Sequence, residues 1–253
     1  MQLTQDRFRK LCDVLTRVST VCHDVIISNG HIVQTSDDKA ILFSIDLSPI
    51  IDDMSINIGM LEQKLKIMKI MTLTDDDIDL STRNEGNITY LDIKDERSTV
   101  SLIQPSVDLL TVDSIDISTA ENIRANVKDI VVYNLDLVSI KKLLTSASSL
   151  NLKAFNIICE NDAYDLCTIA QSGDQKVSIV SLNKTGDEPD VMQSGNSIYI
   201  NTSICLFDSL PSTIKLVVPA DNPTTPLVIY ETKLPVDDNH SIEIVAMQKC
   251  SVV

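Results

Sequence analysis

The sequence of 253 residues has no tryptophan, only six glycines and an aromatic content of 4%. No part of it approaches the roughly eighteen consecutive apolar residues of a transmembrane helix, so we expect no membrane association. The first ten residues are polar and lack the apolar centre of a secretory signal. We therefore expect a protein that is not secreted and that works in the cytoplasm or nucleus of the cell.

The motifs by which enzymes hold nucleotides, metals and nucleophiles are also missing from the sequence. It contains neither G-x-x-x-x-G-K-[ST] nor G-x-G-x-x-G, so we expect no use of ATP or of a dinucleotide. The six cysteines form no C-x-x-C pair and show no metal-ligand spacing. His23, His31 and His240 do not combine with other residues into a recognisable catalytic set. We expect neither catalysis nor a cofactor.

The run of aspartates at residues 75–79 keeps a metal-dependent hydrolase open as an alternative. Two-metal nucleases use carboxylates, but they take them from separate elements of the fold. A calcium-binding EF-hand loop that began at Asp75 would need glycine where this sequence has Leu80. Because a solvated acidic loop explains the run better, we predict no metal site.

Ile, Leu and Val dominate the apolar 43% of the sequence, and β-branched residues favour pleated sheets. Short strand-like runs occur throughout, and Asn29 and Gly30 between two of them indicate a hairpin turn. Apolar residues at helical spacing predict helices at 5–19, 60–71 and 137–150, with a short helix at 202–210. Together these patterns predict an α+β fold with antiparallel sheets.

The order of the predicted elements repeats between the two halves of the chain. Each half reads strand, helix, strands, helix, strands, with Leu11 and Leu143 at corresponding helical positions. Between the halves, residues 105–128 are rich in Asp, Ser and Thr and indicate a connector. The sequence therefore predicts two domains, 1–104 and 129–253, joined by a connector at 105–128.

The net charge of −15 argues against nucleic-acid binding only if it is evenly spread. It is not, because helices 5–19, 60–71 and 137–150 contain nine of the 21 basic residues and three of the 36 acidic ones. Their basic residues lie mostly opposite the apolar stripes; Lys10 and Arg17, for example, share one face. One interpretation is three ordinary solvated helices. The other is a positive surface that attracts phosphates without reading bases.

Three short segments of the sequence match segments of one protein family. Residues 65–69 are similar to the second-helix segment of PCNA with its two pore lysines. Residues 98–100, followed by Pro105 and Asp108, look like the T-even phage clamp segment before the domain crossover, and residues 220–228 resemble the A-D-x-P-L-V stretch of PCNA. The chain thus resembles the DNA sliding clamp family.

The resemblance implies a DNA polymerase processivity factor that is not an enzyme. Family members are two-domain subunits that form a homotrimeric ring around double-stranded DNA, with antiparallel sheets outside and two helices per domain lining the interior. Such a ring tethers a DNA polymerase, requires a clamp loader and has no sequence preference on DNA. The alternative from the sequence alone is a non-enzymatic structural β protein, such as a viral assembly component, in which the basic helices are incidental.

The resemblance also implies three sets of site residues. The DNA-binding set is Arg9, Lys10, Arg17, Lys64, Lys66, Lys69, Lys141 and Lys142. The partner-binding set, under the connector, is Ala40, Leu42, Leu109, Pro226 and Val245. The subunit joint pairs Thr99, Val100, Ser101, Leu102 and Ile103 of one chain with Lys176, Val177, Ser178, Ile179 and Val180 of the next, by addition of strands at sheet edges.

Overall fold

A computed structural model describes the chain apart from residues 114, 136, 161–162, 166–169, 173–174, 178–183, 186–196, 206, 208–209, 220–224 and 251–253. The fold is of the mixed α+β class with antiparallel sheets, which confirms the class predicted from the sequence. The chain forms two compact units. Unit 1 comprises Met1–Lys39, Ser44–Asp116 and Leu234–Glu243, and unit 2 comprises Ala40–Phe43, Ile117–Lys233 and Ile244–Val253.

Unit 1 contains the first two predicted helices and most strands of the N-terminal half. Strands β4 (Leu42–Asp46), β17 (Leu227–Pro235) and β18 (Ser241–Lys249) are divided between the units. The other elements of unit 1 are β1 (Gln2–Leu3), α1 (Gln5–Val18), β2 (Val25–Ile27), β3 (His31–Thr35), β5 (Ile56–Ile58), α2 (Leu61–Met68), β6 (Ile78–Glu85), β7 (Ile88–Lys94) and β8 (Thr99–Gln104). Two 3-10 turns, Lys69–Leu73 and Val107–Leu109, complete it.

The largest sheet that lies wholly within unit 1 has four antiparallel strands in the order β1-β6-β7-β8. Alternate side chains of these strands are buried, as in Ile78, Leu80 and Leu91, because one face of the sheet covers the core. β2 and β5 form a separate antiparallel pair, with Val25 opposite Ile58. In this order β8 is an outer strand, so among the described residues one of its two edges has no neighbouring strand within the sheet.

Helix α1 follows the pattern that the sequence predicts. Thr4 is its N-cap residue and accepts a hydrogen bond from the N–H of Arg7 at 3.5 Å. Phe8, Leu11 and Leu15 are fully or almost fully buried, since residues three and four apart share a helix face. The helix ends at Val18, one residue before the predicted limit.

Helix α2 is shorter than predicted and tightens at its end. Met60, which precedes it, has a left-handed backbone with φ of 55°, and the α-helix ends at Met68. The remaining residues of the predicted helix belong to the 3-10 turn Lys69–Leu73. Leu61, Leu65 and Met68 are buried, which confirms the predicted apolar stripe.

The described residues of unit 2 form two helices and the strands of two larger sheets. The elements are α3 (Ile117–Ala125), β9 (Val127–Leu135), α4 (Leu137–Ser149), β10 (Ala154–Glu160), β11 (Ala163–Asp165), β12 (Ala170–Ser172), β13 (Gln175–Val177), β14 (Lys184–Thr185), β15 (Ser197–Asn201), β16 (Ser212–Pro219) and most of β17. Within the unit, the strands of the two sheets follow the orders β14-β9-β16-β17-β18 and β11-β10-β15. Ile214 and Leu216 of β16 are fully buried.

Two elements of unit 2 differ from the sequence interpretation. Helix α3 lies inside the stretch interpreted as a connector, where only Ala120 of the helix is buried and the apolar periodicity is correspondingly weak. The helix predicted at 202–210 begins as the 3-10 turn Thr202–Ile204, and residues 206, 208 and 209 lie outside the described residues. The domain limits at 104 and 129 stay a prediction, since neither unit is a continuous stretch of chain.

Gly30 and Gly86 make a matched test of the hairpin turn, because both have positive φ angles, of 75° and 60°. A Cβ atom at Gly30 would lie 2.7 Å from the carbonyl oxygen of Ile51, whereas one at Gly86 would meet nothing within 4 Å. We expect Gly86→Ala to cost about 1 kcal/mol of unfolding free energy through the backbone alone. Gly30→Ala should cost at least about 2 kcal/mol more. Urea denaturation of both variants measures the difference, and equal losses would contradict the close packing at Gly30.

Candidate nucleic-acid interface

The first turn of α1 is tied to the end of the 3-10 turn that continues α2. Gln5 is buried, and its amide Nε2 donates to the backbone oxygens of Met71, at 2.9 Å, and Thr74. Carbonyls at a helix end have no partner within the helix, so side chains from elsewhere must satisfy them. This contact fixes α1 beside α2 in unit 1.

Arg9, predicted to bind DNA, takes part in the same joint. Its guanidinium donates to the backbone oxygens of Thr72 and Thr74, both at 3.3 Å, and to the Asp75 carboxylate at 2.9 Å. A second ion pair joins Arg9 to Asp6 at 3.6 Å. Arg9 therefore holds two segments of unit 1 together, and its donors face protein acceptors.

Lys10 contacts the segment Leu234–Glu243, which belongs to unit 1 although it comes late in the chain. Its ammonium donates to the backbone oxygen of Val236. The neighbouring Arg7 donates to the Asp237 carboxylate at 3.0 Å. The backbone N–H of Asn239, together with His240 and Arg7, lowers the pKa of Asp237. The carboxylate thus stays ionised and anchors this segment to α1.

Lys64 and Lys66 project from α2 in different ways. Lys64 is half-buried and donates to the backbone oxygen of Ile103, so it joins α2 to strand β8. Burial lowers the pKa of Lys64, and the charge of Asp24 opposes this effect. Lys66 is 71% exposed and pairs with Glu62 one turn away at 2.8 Å. Exposed ion pairs of this kind stabilise a helix by about 0.5 kcal/mol or less, so a phosphate can compete with Glu62 for Lys66.

Lys69 is a second exposed cation of unit 1 in the DNA-binding set. It is exposed, and within the part of the chain that the structure describes its ammonium makes no hydrogen bond or ion pair. Arg17 is half-exposed on the same side of α1 as Lys10. In unit 2, Lys141 and Lys142 are both exposed on α4, a helix without acidic residues.

The positive charge of α1 is interrupted by carboxylates. Asp6 and Asp13 are exposed on the outer face of the helix. At about 100° per residue, both lie between the row that contains Arg9 and the row that contains Lys10 and Arg17. The sequence predicts basic residues on this face of α1. Because Asp6 and Asp13 lie among them, these carboxylates weaken the positive electrostatic field of α1.

The predicted subunit joint falls partly on an outer strand. In β8, Thr99, Ser101 and Ile103 are exposed, whereas Leu102 is buried and Val100 half-buried. Unpaired backbone groups along such an edge can bind another strand, although the oxygen of Ile103 already accepts a hydrogen bond from Lys64. On the other side of the predicted joint, Lys176 and Val177 belong to β13, while Ser178, Ile179 and Val180 lie outside the described residues.

The predicted partner-binding residues are divided between the units. Leu109 belongs to unit 1 and is 76% exposed. Ala40, Leu42, Pro226 and Val245 belong to unit 2, where Ala40 is exposed, Leu42 is half-buried and the other two are buried. This set stays a prediction.

Sequence reasoning missed the residues that hold the basic helices in place. A signal exists for Gln5, since it is a polar residue on the apolar face of an amphipathic helix. Asp24, whose contacts are described below, is one of 36 acidic residues and has no distinguishing neighbour in the sequence. Its role depends on hydrogen bonds from backbone N–H groups. Almost every residue carries such a group, so the sequence gives no signal of these bonds.

Comparison with protein-family models and with curated proteins gives no match to this chain. Among the described residues, no helix is long and apolar enough to cross a membrane. No group of three or more His, Cys, Asp or Glu side chains in that part of the chain is placed to hold a metal ion. Function therefore has to be inferred from the charge and the geometry of the two units.

Arg9 and Lys69 test which cations stabilise the fold. Arg9→Ala should lower the unfolding free energy by about 1–2 kcal/mol, because the Thr72 oxygen and the Asp75 carboxylate lose this donor and the Thr74 oxygen keeps only the bond from Gln5. Lys69→Ala removes the same charge from an exposed position and should change stability by less than about 0.5 kcal/mol. Urea denaturation compares the two. Equal effects would mean that the Arg9 contacts contribute nothing to stability.

Proposed function

We propose that the chain is a DNA sliding clamp subunit: a non-enzymatic processivity factor that closes with further copies into a ring around duplex DNA. The observation that carries the proposal is the separation of charge. The three basic helices predicted from the sequence carry a net charge of +6, and the rest of the chain carries −21. Such a distribution attracts phosphates to the helices and repels DNA elsewhere.

The exposed lysines support a surface that binds phosphates without reading bases. Lys66 on α2, Lys69 directly after it, and Lys141 and Lys142 on α4 are exposed and offer point charges on flexible side chains. Contacts to phosphates position a protein on DNA but carry no sequence information. A few weak contacts of this kind suit movement along a duplex, because retention would come from ring closure rather than affinity.

The free edge of β8 supports closure of the ring by copies of the same chain. A head-to-tail contact between two different surfaces produces a closed ring when the rotation per subunit allows it. In the proposed homotrimer, β8 of one subunit pairs with residues 176–180 of the next. A DNA polymerase and a clamp loader are the further partners that the proposal requires.

One observation favours the alternative of a structural β protein. Arg9, Lys10 and Lys64 all donate to backbone oxygens within unit 1, so part of the basic charge serves the fold. In that alternative the chain assembles through sheet edges and the remaining lysines are incidental. The two functions differ in the shape of the assembly.

The size and shape of the assembly test this difference. A clamp should give about three times the subunit mass of 27.9 kDa in light scattering. Electron microscopy should then show a ring with a hole wide enough for duplex DNA. An oligomer without such a hole would support the structural alternative and reject the clamp.

Charge reversal on α2 tests the DNA surface. The double variant Lys66→Glu, Lys69→Glu should shorten the products of a polymerase that the unaltered protein stimulates. The dependence of duplex affinity on salt, plotted as log K against log [salt], should become shallower by up to about 2. Both side chains are exposed, so the variant should fold normally.

The matched control is Lys94→Glu, Lys153→Glu, which changes the net charge equally at exposed positions outside the basic helices. This control should keep most of its stimulation of the polymerase. If the α2 variant is folded and stimulates as well as the control, α2 does not face DNA.

A further inference from the structure

The carboxylate of Asp24 lies at the meeting point of three segments of unit 1. Asp24 is 4% exposed and directly precedes β2. Its Oδ1 accepts a hydrogen bond from the backbone N–H of Met60 at 2.9 Å. Its Oδ2 accepts two from Thr111, from the backbone N–H and from the hydroxyl, each at 2.9 Å. One side chain therefore serves the start of α2 and the connector together.

The contact with Met60 caps α2 from outside the helix. The N-cap residue of α2 makes no side-chain cap of its own. The backbone N–H of Leu61 instead donates to the oxygen of His23 at 2.8 Å, next to the bond between Met60 and Asp24. The first N–H groups of a helix need acceptors, and negative charge is favourable at this end. The start of α2 thus depends on residues 23 and 24.

The connector packs directly on the turn that leads into α2. A Cβ atom at Gly59 would lie 3.3 Å from the side chains of both Leu110 and Pro105, and 3.5 Å from Oδ1 of Asp24. The amide of Asn57 also donates to the backbone oxygen of Pro105 at 3.2 Å. No space remains between the connector and this turn, so displacement of one segment disturbs the other.

The backbone at Asp24 is held in place by a buried glutamine. Gln34, which is completely buried, donates to the backbone oxygen of Asp24 at 3.1 Å and accepts from the N–H of Ile26 at the same distance. Burial acts to raise the pKa of Asp24, but the hydrogen bonds from Thr111 and Met60 outweigh it and lower the pKa. The group stays ionised, and its two oxygens have fixed and separate partners.

We propose that Asp24 is a positioning residue that couples the connector to helix α2, so that a partner bound to the connector alters the hold on the helix that carries Lys66 and that leads directly into Lys69. The effect on DNA binding rests on the proposed function, whereas the coupling between the connector and α2 does not. If Thr111 moves away, Oδ2 loses both of its protein donors. The carboxylate must then turn or recruit a new donor, and its bond to Met60 weakens.

The substitution Thr111→Pro tests the coupling, because it changes the connector and leaves α2 unaltered. Proline removes the N–H and the hydroxyl without touching α2, and Leu110 before it has an extended backbone that tolerates a following proline. The connector stays attached through the N–H of Ile115, which donates to Val33 at 3.0 Å, and through the ion pair of Asp113 with Lys39 at 2.8 Å. Only the link to Asp24 is lost.

Hydrogen exchange of the full chain measures the result. In Thr111→Pro the amides of residues 60–64 should exchange about tenfold faster, while those of the β6–β7 hairpin keep their rates as an internal reference. The control is Ser106→Pro, at φ of −65° in the same connector, whose N–H donates no bond to Asp24. This control should leave residues 60–64 unchanged.

Faster exchange confined to the connector in Thr111→Pro would overturn the coupling. Should the proline variant be too unstable to study, Thr111→Val removes one of the two donors and should accelerate the same α2 amides about threefold. Duplex binding at low salt is measured in parallel. Failure of the unaltered protein to bind duplex rejects the clamp, whereas the exchange pattern at residues 60–64 decides the coupling by itself.

Discussion

Helix α2 depends on hydrogen bonds from other segments at both of its ends. A helix of eight residues is too short to be stable in water by itself, since nucleation costs more than its few internal bonds return. Asp24 and His23 accept from its first N–H groups, and Gln5 and Arg9 donate to the carbonyls where the 3-10 turn that follows it ends. The orientation of Lys66 and Lys69 follows from these contacts. Contacts from several other segments of unit 1 thus hold this one short helix in place.

The fold was predictable where burial imposes a period on the sequence. Helix α1 was predicted to within one residue, because Phe8, Leu11 and Leu15 recur at helical spacing against the core. Helix α3 was missed because it buries only Ala120, so Asp, Ser and Thr could occupy its other positions. The 3-10 turn after α2 was also missed, since its end is set by acceptors for Gln5 and Arg9 rather than by hydrophobicity.

The candidate site was less predictable than the fold. Composition located the basic residues on helices, but a lysine that faces solvent and one that donates to a carbonyl look alike in sequence. Lys69 and Lys10 illustrate this, because among the described residues Lys10 donates to a backbone oxygen and Lys69 does not. The interruption of α1 by Asp6 and Asp13 could have been read from helical geometry alone. The coupling through Asp24 could not, since it depends on main-chain groups from distant segments.

The outer edge of β8 has a consequence for the behaviour of the chain in solution. From Thr99 to Gln104 the strand contains no charge and no proline, the residues with which proteins usually guard a bare edge. An isolated chain would expose a template for indiscriminate pairing. The net charge of −15 counters this hazard, because molecules of like charge repel before their edges can meet. This protection would decline as ionic strength rises, since salt screens the repulsion.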